Sequence, residues 1–197
     1  KDLYLCRPEK GQALRLNEDF PELNRSRAMS FAIEIKPGQL IIGGQNGLFG
    51  YEIARKKLQR LAWIVPWERY STKYNCAYAE GTSVWIGTQN GLICHDFRTK
   101  ETLRLSTENG LPNNCIQGIA ADAEVKLWVS TSNGIGRINR NADGTFSIAR
   151  LDGKDGVQYG EMMEQSITAM PDGHVYVGGL NGITDIAPQA TDYGHEN

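Results

Sequence analysis

Aromatic and charged side chains suited to sugar binding cluster in one short stretch of the chain. Trp67, Glu68, Arg69, Tyr70 and Tyr74 fall within eight residues. Aromatic faces stack on the apolar faces of sugar rings, while guanidinium and carboxylate groups hydrogen-bond to hydroxyls. The stretch is therefore a candidate ligand-binding segment. The alternative interpretation is that Trp67 and Tyr74 fill a gap in the core.

Two other segments carry candidate ligand-binding residues. Arg25 and Arg27 lie near the N-terminus, and Tyr159 and Glu161 lie in the segment 152–164. Together with Arg69, the two arginines would suit an acidic oligosaccharide, because a guanidinium group binds a carboxylate through two hydrogen bonds. The predicted partner is thus a small molecule or an oligosaccharide.

Carboxylates in the same segment raise the alternative of an enzyme that cleaves polysaccharide. Glu161 and Glu164 lie three residues apart, with Asp152 and Asp155 nearby. Paired carboxylates serve as acid and base in glycoside cleavage, although solvated loop acids explain the pattern equally well. The histidines are scattered and give no pairing with a nucleophile; they are His95, His174 and His195. We predict no catalytic residue in this chain.

Composition excludes several other classes of function. The formal net charge is −2, and the richest basic stretch, residues 55–60, is short and lacks interleaved aromatic rings. Nucleic-acid binding by this region is therefore not expected. The sequence contains no phosphate-binding loop, no dinucleotide fingerprint and no calcium loop, so we predict neither a cofactor nor a metal.

The four cysteines show no C-x-x-C spacing, so a zinc site is poorly supported. The apolar strand patterns around them predict buried free thiols. If the domain is exported, one disulfide remains possible, with no pairing indicated. No signal peptide and no long apolar segment is present, and a chain that begins at Lys1 looks processed or excised. The cysteines are Cys6, Cys76, Cys94 and Cys115.

A repeat positions all these residues. Four strings share one pattern: an apolar run, a small residue, Asn-Gly and a second alternating run. Their Asn-Gly pairs begin at Asn46, Asn90, Asn133 and Asn181, with spacings of 44, 43 and 48 residues. Because Asn-Gly tolerates positive φ at both central positions of a two-residue turn, each string predicts a β-hairpin. The strings are IIGGQNGLFGYE (41–52), VWIGTQNGLICHD (84–96), LWVSTSNGIGRIN (127–139) and VYVGGLNGITDIA (175–187).

The rest of each period supplies two more strands, which makes four per repeat of about 45 residues. This is the arithmetic of a β-propeller blade. The predicted fold is all-β, built of four-stranded antiparallel blades. Trp85 and Trp128, with Tyr176, hold equivalent places in the second strand and are expected to pack between blades.

The repeats predict a fragment of a larger propeller. Residues 1–16 would be the last strands of a preceding blade. Blades would follow at 17–64, 65–107 and 108–151, then an incomplete last blade at 152–188 and a tail at 189–197. The segments between blades lie on one face of a propeller, where loops from several blades converge and ligands often bind. All the candidate ligand-binding residues lie in or beside these segments.

The third repeat, ENGLPNNCIQGIAADAEVKLWVSTSNGIGRIN (108–139), resembles the two-component regulator propeller repeat. That repeat has an acidic-Gly-Leu-Pro-small-Asn segment, an acidic turn, Leu-Trp-Ile-Gly-Thr and Asn-Gly-Leu. The second repeat keeps WIGTQNGL (85–92) but departs upstream, with VPWERYSTKYN (65–75) in place of Gly-Leu-Pro. The last repeat resembles the final blade of such sensors. The resemblance extends from about residue 30 to residue 188.

This resemblance implies the periplasmic sensor region of a hybrid two-component system that combines histidine kinase and response regulator. In that family the propeller lies outside the cytoplasmic membrane, and a transmembrane helix, a kinase and a DNA-binding domain follow. Many members sense breakdown products of complex carbohydrates. The resemblance implies a membrane-anchored parent protein that acts as a homodimer. The alternatives are a lyase-like propeller enzyme and a protein-binding scaffold.

Overall fold

The computed structural model describes residues 4–8, 11–20, 23, 29–45, 47–67 and 73–188. The chain divides into two compact units, Lys1–Tyr74 and Asn75–Asn197. Among the described residues, no helix has the length and hydrophobicity needed to cross a membrane.

The first unit holds a two-stranded and a four-stranded antiparallel sheet. Strand β1 (Tyr4–Arg7) pairs with β2 (Gln12–Arg15), and the short helix α1 (Leu16–Asp19) follows. The four-stranded sheet, called the first sheet below, runs in the order β3-β4-β5-β6. A 3₁₀ turn then spans Ala62–Trp67. Its strands are β3 (Met29–Lys36), β4 (Gln39–Gly44), β5 (Gly47–Glu52) and β6 (Lys57–Arg60).

The second unit contains three antiparallel sheets, each with its strands in chain order. The second sheet is β7 (Tyr74–Glu80), β8 (Ser83–Thr88), β9 (Gly91–Asp96) and β10 (Thr102–Leu105). The third sheet is β11 (Ile116–Ala121), β12 (Leu127–Thr131), β13 (Ile135–Arg140) and β14 (Phe146–Leu151). The last sheet has three strands, β15 (Met162–Ala169), β16 (Val175–Gly179) and β17 (Gly182–Ile186). The predicted all-β fold of four-stranded antiparallel repeats is confirmed.

The Asn-Gly pairs at Asn90, Asn133 and Asn181 close hairpins as predicted, while Asn46 lies outside the described residues. The predicted turn geometry is wrong. In the β8–β9 hairpin, Thr88 pairs with Gly91, so Gln89 and Asn90 are the central residues. Only the glycine takes positive φ, at 118°. The Thr88 hydroxyl donates to the Gly91 carbonyl over 2.8 Å and accepts from the Asn90 amide over 3.0 Å. This local bonding holds Asn90 at negative φ, and glycine is needed because a Cβ would lie 2.7 Å from the Leu105 carbonyl oxygen.

The two tryptophans pack between sheets, as predicted. Trp85 is 1% exposed, and its ring meets the ring of Phe146 on the third sheet edge-on, with 5.2 Å between centroids. Trp128 lies in a core cluster with Val175 and Val177 of the last sheet. Each indole N–H donates to an acidic side chain at the end of the preceding strand or directly after it; the pairs are Trp85–Glu80 at 3.0 Å and Trp128–Asp122 at 2.8 Å. The core of this unit is therefore made of the seams between sheets.

Two of the segments between sheets, those after β10 and β14, share one construction. After β10, Ser106 and Asn109 form a capping box around the 3₁₀ turn Thr107–Asn109, and Gly110 then takes left-handed φ. Leu111 follows and is fully buried. After β14, the same roles fall in order to Asp152, Asp155, Gly156 and Val157. The segments STENGL (106–111) and DGKDGV (152–157) thus each encode a capped turn followed by an aliphatic residue that plugs the seam.

The cysteines differ from the prediction at two positions. All four are free thiols, but only Cys76 and Cys94 are buried, while Cys115 is half-buried and Cys6 is exposed. Cys6 lies on β1, whose sheet has only two strands, so no further sheet of the described chain pairs beside it. Burial raises the pKa of Cys94 to about 12 and raises the pKa of Cys76 as well. These two thiols are core residues.

Candidate functional site

The predicted ligand-binding residues fall into three groups. Arg25, Arg27, Arg69 and Tyr70 lie outside the described residues. Trp67 and Tyr74 belong to the first unit, and Tyr159 and Glu161 belong to the second.

The two aromatic candidates of the first unit differ in accessibility. Trp67 ends the 3₁₀ turn Ala62–Trp67 and is half-buried. Tyr74 begins β7 and is 1% exposed. A sugar ring could stack on Tyr74 only after the ring was uncovered. Its burial favours the alternative interpretation, in which Tyr74 is a core residue.

Tyr159 is highly accessible, with 81% of its surface exposed. Its ring lies over Gly153, where a Cβ would approach the ring to 3.2 Å. Its carbonyl accepts a hydrogen bond from the Asn181 side-chain amide. The exposed ring thus packs over Gly153, and the Tyr159 backbone is bonded to the hairpin between β16 and β17.

Glu161 is tied to the third sheet. Its Oε1 accepts hydrogen bonds from Gln117 Nε2 at 2.8 Å and from Ser132 Oγ at 3.1 Å. Gln117 Nε2 also lies 3.1 Å from Ser132 Oγ. The Glu161 carbonyl accepts from the Leu180 amide at 3.1 Å. The hairpin that holds Tyr159 therefore also holds Glu161.

Gln117 and Ser132 belong to this site, and neither was predicted from the sequence. Gln117 is 4% exposed and lies where the register of β11 against β12 shifts by one residue. Such a bulge re-aims a side chain. The sequence signal is a glutamine in an otherwise apolar strand start, Cys-Ile-Gln-Gly-Ile, which a two-residue alternation does not explain.

The amide orientation of Gln117 follows from its partner. A carboxylate oxygen accepts hydrogen bonds only, so the Gln117 side chain must turn its NH₂ group toward Glu161. The Asn75 side chain is oriented in the same way, because its Nδ2 donates to the Ile116 carbonyl at 2.7 Å. Gln165, at φ 59° in a bulge of β15, donates from Nε2 to the Asn75 carbonyl at 3.0 Å. Polar side chains thus link β7, β11 and β15, the first strands of the three sheets of this unit.

The arrangement suits binding better than acid–base catalysis. The site offers an exposed aromatic face and a carboxylate fixed by two side-chain donors. Two other acids of the segment are engaged in capping, since Asp152 accepts from the Lys154 amide and Asp155 from the Asp152 amide. The remaining acid, Glu164, lies exposed on β15. Within the described ranges, no group of three or more acidic, histidine or cysteine side chains is placed to hold a metal.

Solved structures with the same fold include parts of bacterial sensor systems. The chain aligns with the extracellular domain assigned to the hybrid two-component system BT3049 of B. thetaiotaomicron, with a TM-score of 0.69 and 22% identity over 84% of this chain and 23% of that chain. For BT4673 of the same organism the TM-score is 0.65, with 21% identity over 82% of this chain and 21% of that chain. This chain spans less than a quarter of the length of those domains.

Enzymes share the fold as well. Streptogramin B lyase aligns with a TM-score of 0.57 and 13% identity, over 95% of this chain and 58% of that chain. No known family profile matches this sequence, and no curated protein matches it. The comparisons therefore confirm the propeller fold and, at the level of fold, the expected similarity to hybrid two-component extracellular domains. A fold of this kind does not by itself assign a reaction or a ligand.

Proposed function

We propose that this chain is part of the extracytoplasmic, ligand-sensing propeller of a hybrid two-component sensor histidine kinase and transcriptional regulator. The observation that carries the proposal is the structural similarity to the extracellular domains of BT3049 and BT4673. The parent protein would be anchored in the inner membrane, with this region in the periplasm.

We propose an oligosaccharide released by carbohydrate breakdown as the ligand. Tyr159 offers an exposed aromatic face, and Glu161 offers a carboxylate two residues away. Sugar rings stack on aromatic faces, and carboxylates accept hydrogen bonds from sugar hydroxyls. The Gln117 and Ser132 donors fix the Glu161 carboxylate before a ligand arrives, which lowers the entropy lost on binding.

Signal transfer would act through the arrangement of a homodimer. A ligand shifts an equilibrium between two arrangements only by its difference in affinity for them. We propose that the oligosaccharide favours one arrangement of the propellers and that the kinase domains of the parent protein respond to it. The reading frame of the gene tests this directly, because a sensor requires a transmembrane helix and kinase motifs in the same frame.

Calorimetry with a panel of neutral and acidic oligosaccharides tests the site. Tyr159→Ala and Glu161→Gln should each weaken binding at least about tenfold, since each removes a contact of roughly 1.5 kcal/mol. Met170→Ala is the matched control, because Met170 is exposed in the turn between β15 and β16. Unchanged affinity in folded Tyr159 and Glu161 variants would remove both residues from the site. Trp67→Ala tests the separate candidate of the first unit in the same way.

A lyase-like enzyme acting on polysaccharide is the second candidate, and the fold shared with streptogramin B lyase supports it. Incubation with candidate glycans should give no new reducing ends and no unsaturated products if the chain is a sensor. Product formation that disappears in Glu161→Gln or Glu164→Gln would replace the sensor proposal by the enzyme.

A further inference from the structure

The Glu161 carboxylate is bonded by neutral donors. Both side chains that donate to it are uncharged, the amide of Gln117 at 2.8 Å and the hydroxyl of Ser132 at 3.1 Å, and both bonds end on Oε1. A carboxylate has two oxygens with about four acceptor positions, so these two bonds leave part of its capacity unused. Neutral donors also leave its negative charge uncompensated. The site therefore presents a charged acceptor that can bind further donors.

Two buried amide oxygens around this carboxylate lack a donor. Gln117 Oε1 and Asn75 Oδ1 are covered from solvent and have no hydrogen-bond partner in the described part of the chain. The nitrogen of each amide is used, because Gln117 Nε2 donates to Glu161 and Asn75 Nδ2 donates to the carbonyl of Ile116. A buried acceptor without a donor is costly. The surroundings of Glu161 are therefore short of donors rather than of acceptors.

The segment 152–164, which carries Tyr159 and Glu161, is acidic. It contains four carboxylates and one basic side chain, Lys154, so its formal net charge is −3. The Tyr159 ring is 81% exposed, and the face of a tyrosine ring attracts cations. A ligand with a negative charge would meet like charge here, which lowers affinity. The charge of the segment and the exposed ring both favour a positively charged ligand.

We propose that this site selects oligosaccharides that contain protonated amino sugars, an inference that rests on the proposed role of Tyr159 and Glu161 in ligand binding. The sugar ring stacks on Tyr159, and the ammonium group donates to the Glu161 carboxylate. An ammonium group has three donor hydrogens and no acceptor, so it supplies what the surroundings of Glu161 lack. An acidic sugar would bring further acceptors and a second negative charge to the same place, and the site rejects it.

Two tetrasaccharides with the same linkage separate the effect of charge from that of shape. One is the β-1,4-linked tetramer of glucosamine, and the other is its fully N-acetylated form, which is neutral. Calorimetry uses the full 197-residue chain at about pH 6, where the amines are charged. The glucosamine tetramer should bind at least about tenfold more tightly than the N-acetylated one. Raising the salt concentration from about 0.05 M to about 0.5 M should remove most of this preference.

Glu161→Gln keeps the shape of the side chain and removes its charge. In this variant, the preference for the glucosamine tetramer should fall below about threefold. Glu108→Gln is the matched control, because Glu108 is an exposed acid in the equivalent turn between the second and third sheets. The control variant loses the same charge and should keep the full preference. Circular dichroism checks that both variants are folded.

Equal affinity for the two tetramers would overturn this inference, and so would a preference that survives Glu161→Gln. If the two bind equally and Tyr159→Ala abolishes binding, the proposed site stands and only the class of ligand is wrong. If neither tetramer binds, the inference is wrong, and the panel of neutral and acidic oligosaccharides decides whether the site itself stands. Tighter binding of a galacturonic acid tetramer would assign the site to an acidic ligand.

Discussion

The third and last sheets carry the same hairpin in different surroundings. Both place Asn-Gly between their second and third strands, with an isoleucine directly after the glycine. Ile135 is fully buried, whereas Ile183 is 75% exposed. The difference comes from the fourth strand and the plug residue, which cover only the first of the two. The hairpin therefore forms from the residues of its own repeat. Whether its isoleucine is buried depends on the strand and the segment that pack against it.

The largest effect should separate the two tryptophan seams. Trp85→Ala should lower the free energy of unfolding by about 3–5 kcal/mol, because the ring is buried and packs edge-on against Phe146. Trp128→Ala should cost less, about 2–3 kcal/mol, because its seam borders an open cleft that solvent and neighbours can refill. Urea unfolding followed by circular dichroism measures both. Equal losses in the free energy of unfolding would mean that the residues around the cleft do not relax into the space left by Trp128.

The isoleucine pair gives the next largest contrast. Ile135→Ala removes a fully buried side chain beside Leu151 and Val157, and should cost about 2–4 kcal/mol. Ile183→Ala removes an exposed side chain and should change the free energy of unfolding by less than about 0.5 kcal/mol. The same urea experiment compares them. A large loss at Ile183 would contradict the comparison, because it would mean that something covers this side chain in solution.

Local sequence was enough to predict the sheets but not the site. The Asn-Gly spacing predicted four hairpins, and the paired tryptophans predicted seam packing, because both depend on residues within one repeat. Gln117 could not be found in this way, since its burial comes from a bulge and its partner Glu161 lies 44 residues away in sequence. The placement of Tyr159 also depends on a distant residue, because its carbonyl is bonded to the Asn181 side chain 22 residues away in sequence.

The turn geometry was missed for a physical reason. Asn-Gly alone favours two central residues with positive φ, but the strands pair so that the glycine follows the two central residues: Thr88 pairs with Gly91 and Gly179 pairs with Gly182. The positive φ therefore falls on the glycine alone. The Thr88 hydroxyl supports this turn with two hydrogen bonds, but Gly179 has no hydroxyl, so the register depends on strand pairing that the dipeptide rule does not include.

The two hairpin glycines should therefore differ when a Cβ is added. Gly91→Ala combines positive φ with a Cβ 2.7 Å from the Leu105 carbonyl oxygen, and should cost about 2–3 kcal/mol. Gly182→Ala has positive φ, but its Cβ meets nothing within 4 Å, so about 1 kcal/mol is expected. Thermal unfolding of both variants gives the comparison. If Gly182→Ala proved as costly as Gly91→Ala, the fourth strand would not be the cause of the difference.

The smallest effect concerns two histidines whose pKa values move in opposite directions. His95 is buried on β9 beside Thr102 of the fourth strand, and desolvation lowers its pKa below the ordinary value of about 6.5. His174 is accessible in the last sheet, and the hydrogen bond to Asp185 raises its pKa. The neutral form of His95 is favoured by folding, so its contribution to stability falls as pH drops below about 6.5. The charged form of His174 is favoured by folding, so its contribution is present below about pH 6.5 and is lost as pH rises through its folded pKa.

An NMR titration of the two imidazole rings should give the lower pKa for His95. In His174→Gln, the free energy of unfolding should no longer contain the contribution that is lost as pH rises toward neutral. In His95→Gln, it should no longer contain the contribution that is lost as pH falls below about 6.5. A higher pKa for His95 than for His174 would mean that the fourth strand does not shield His95 from water.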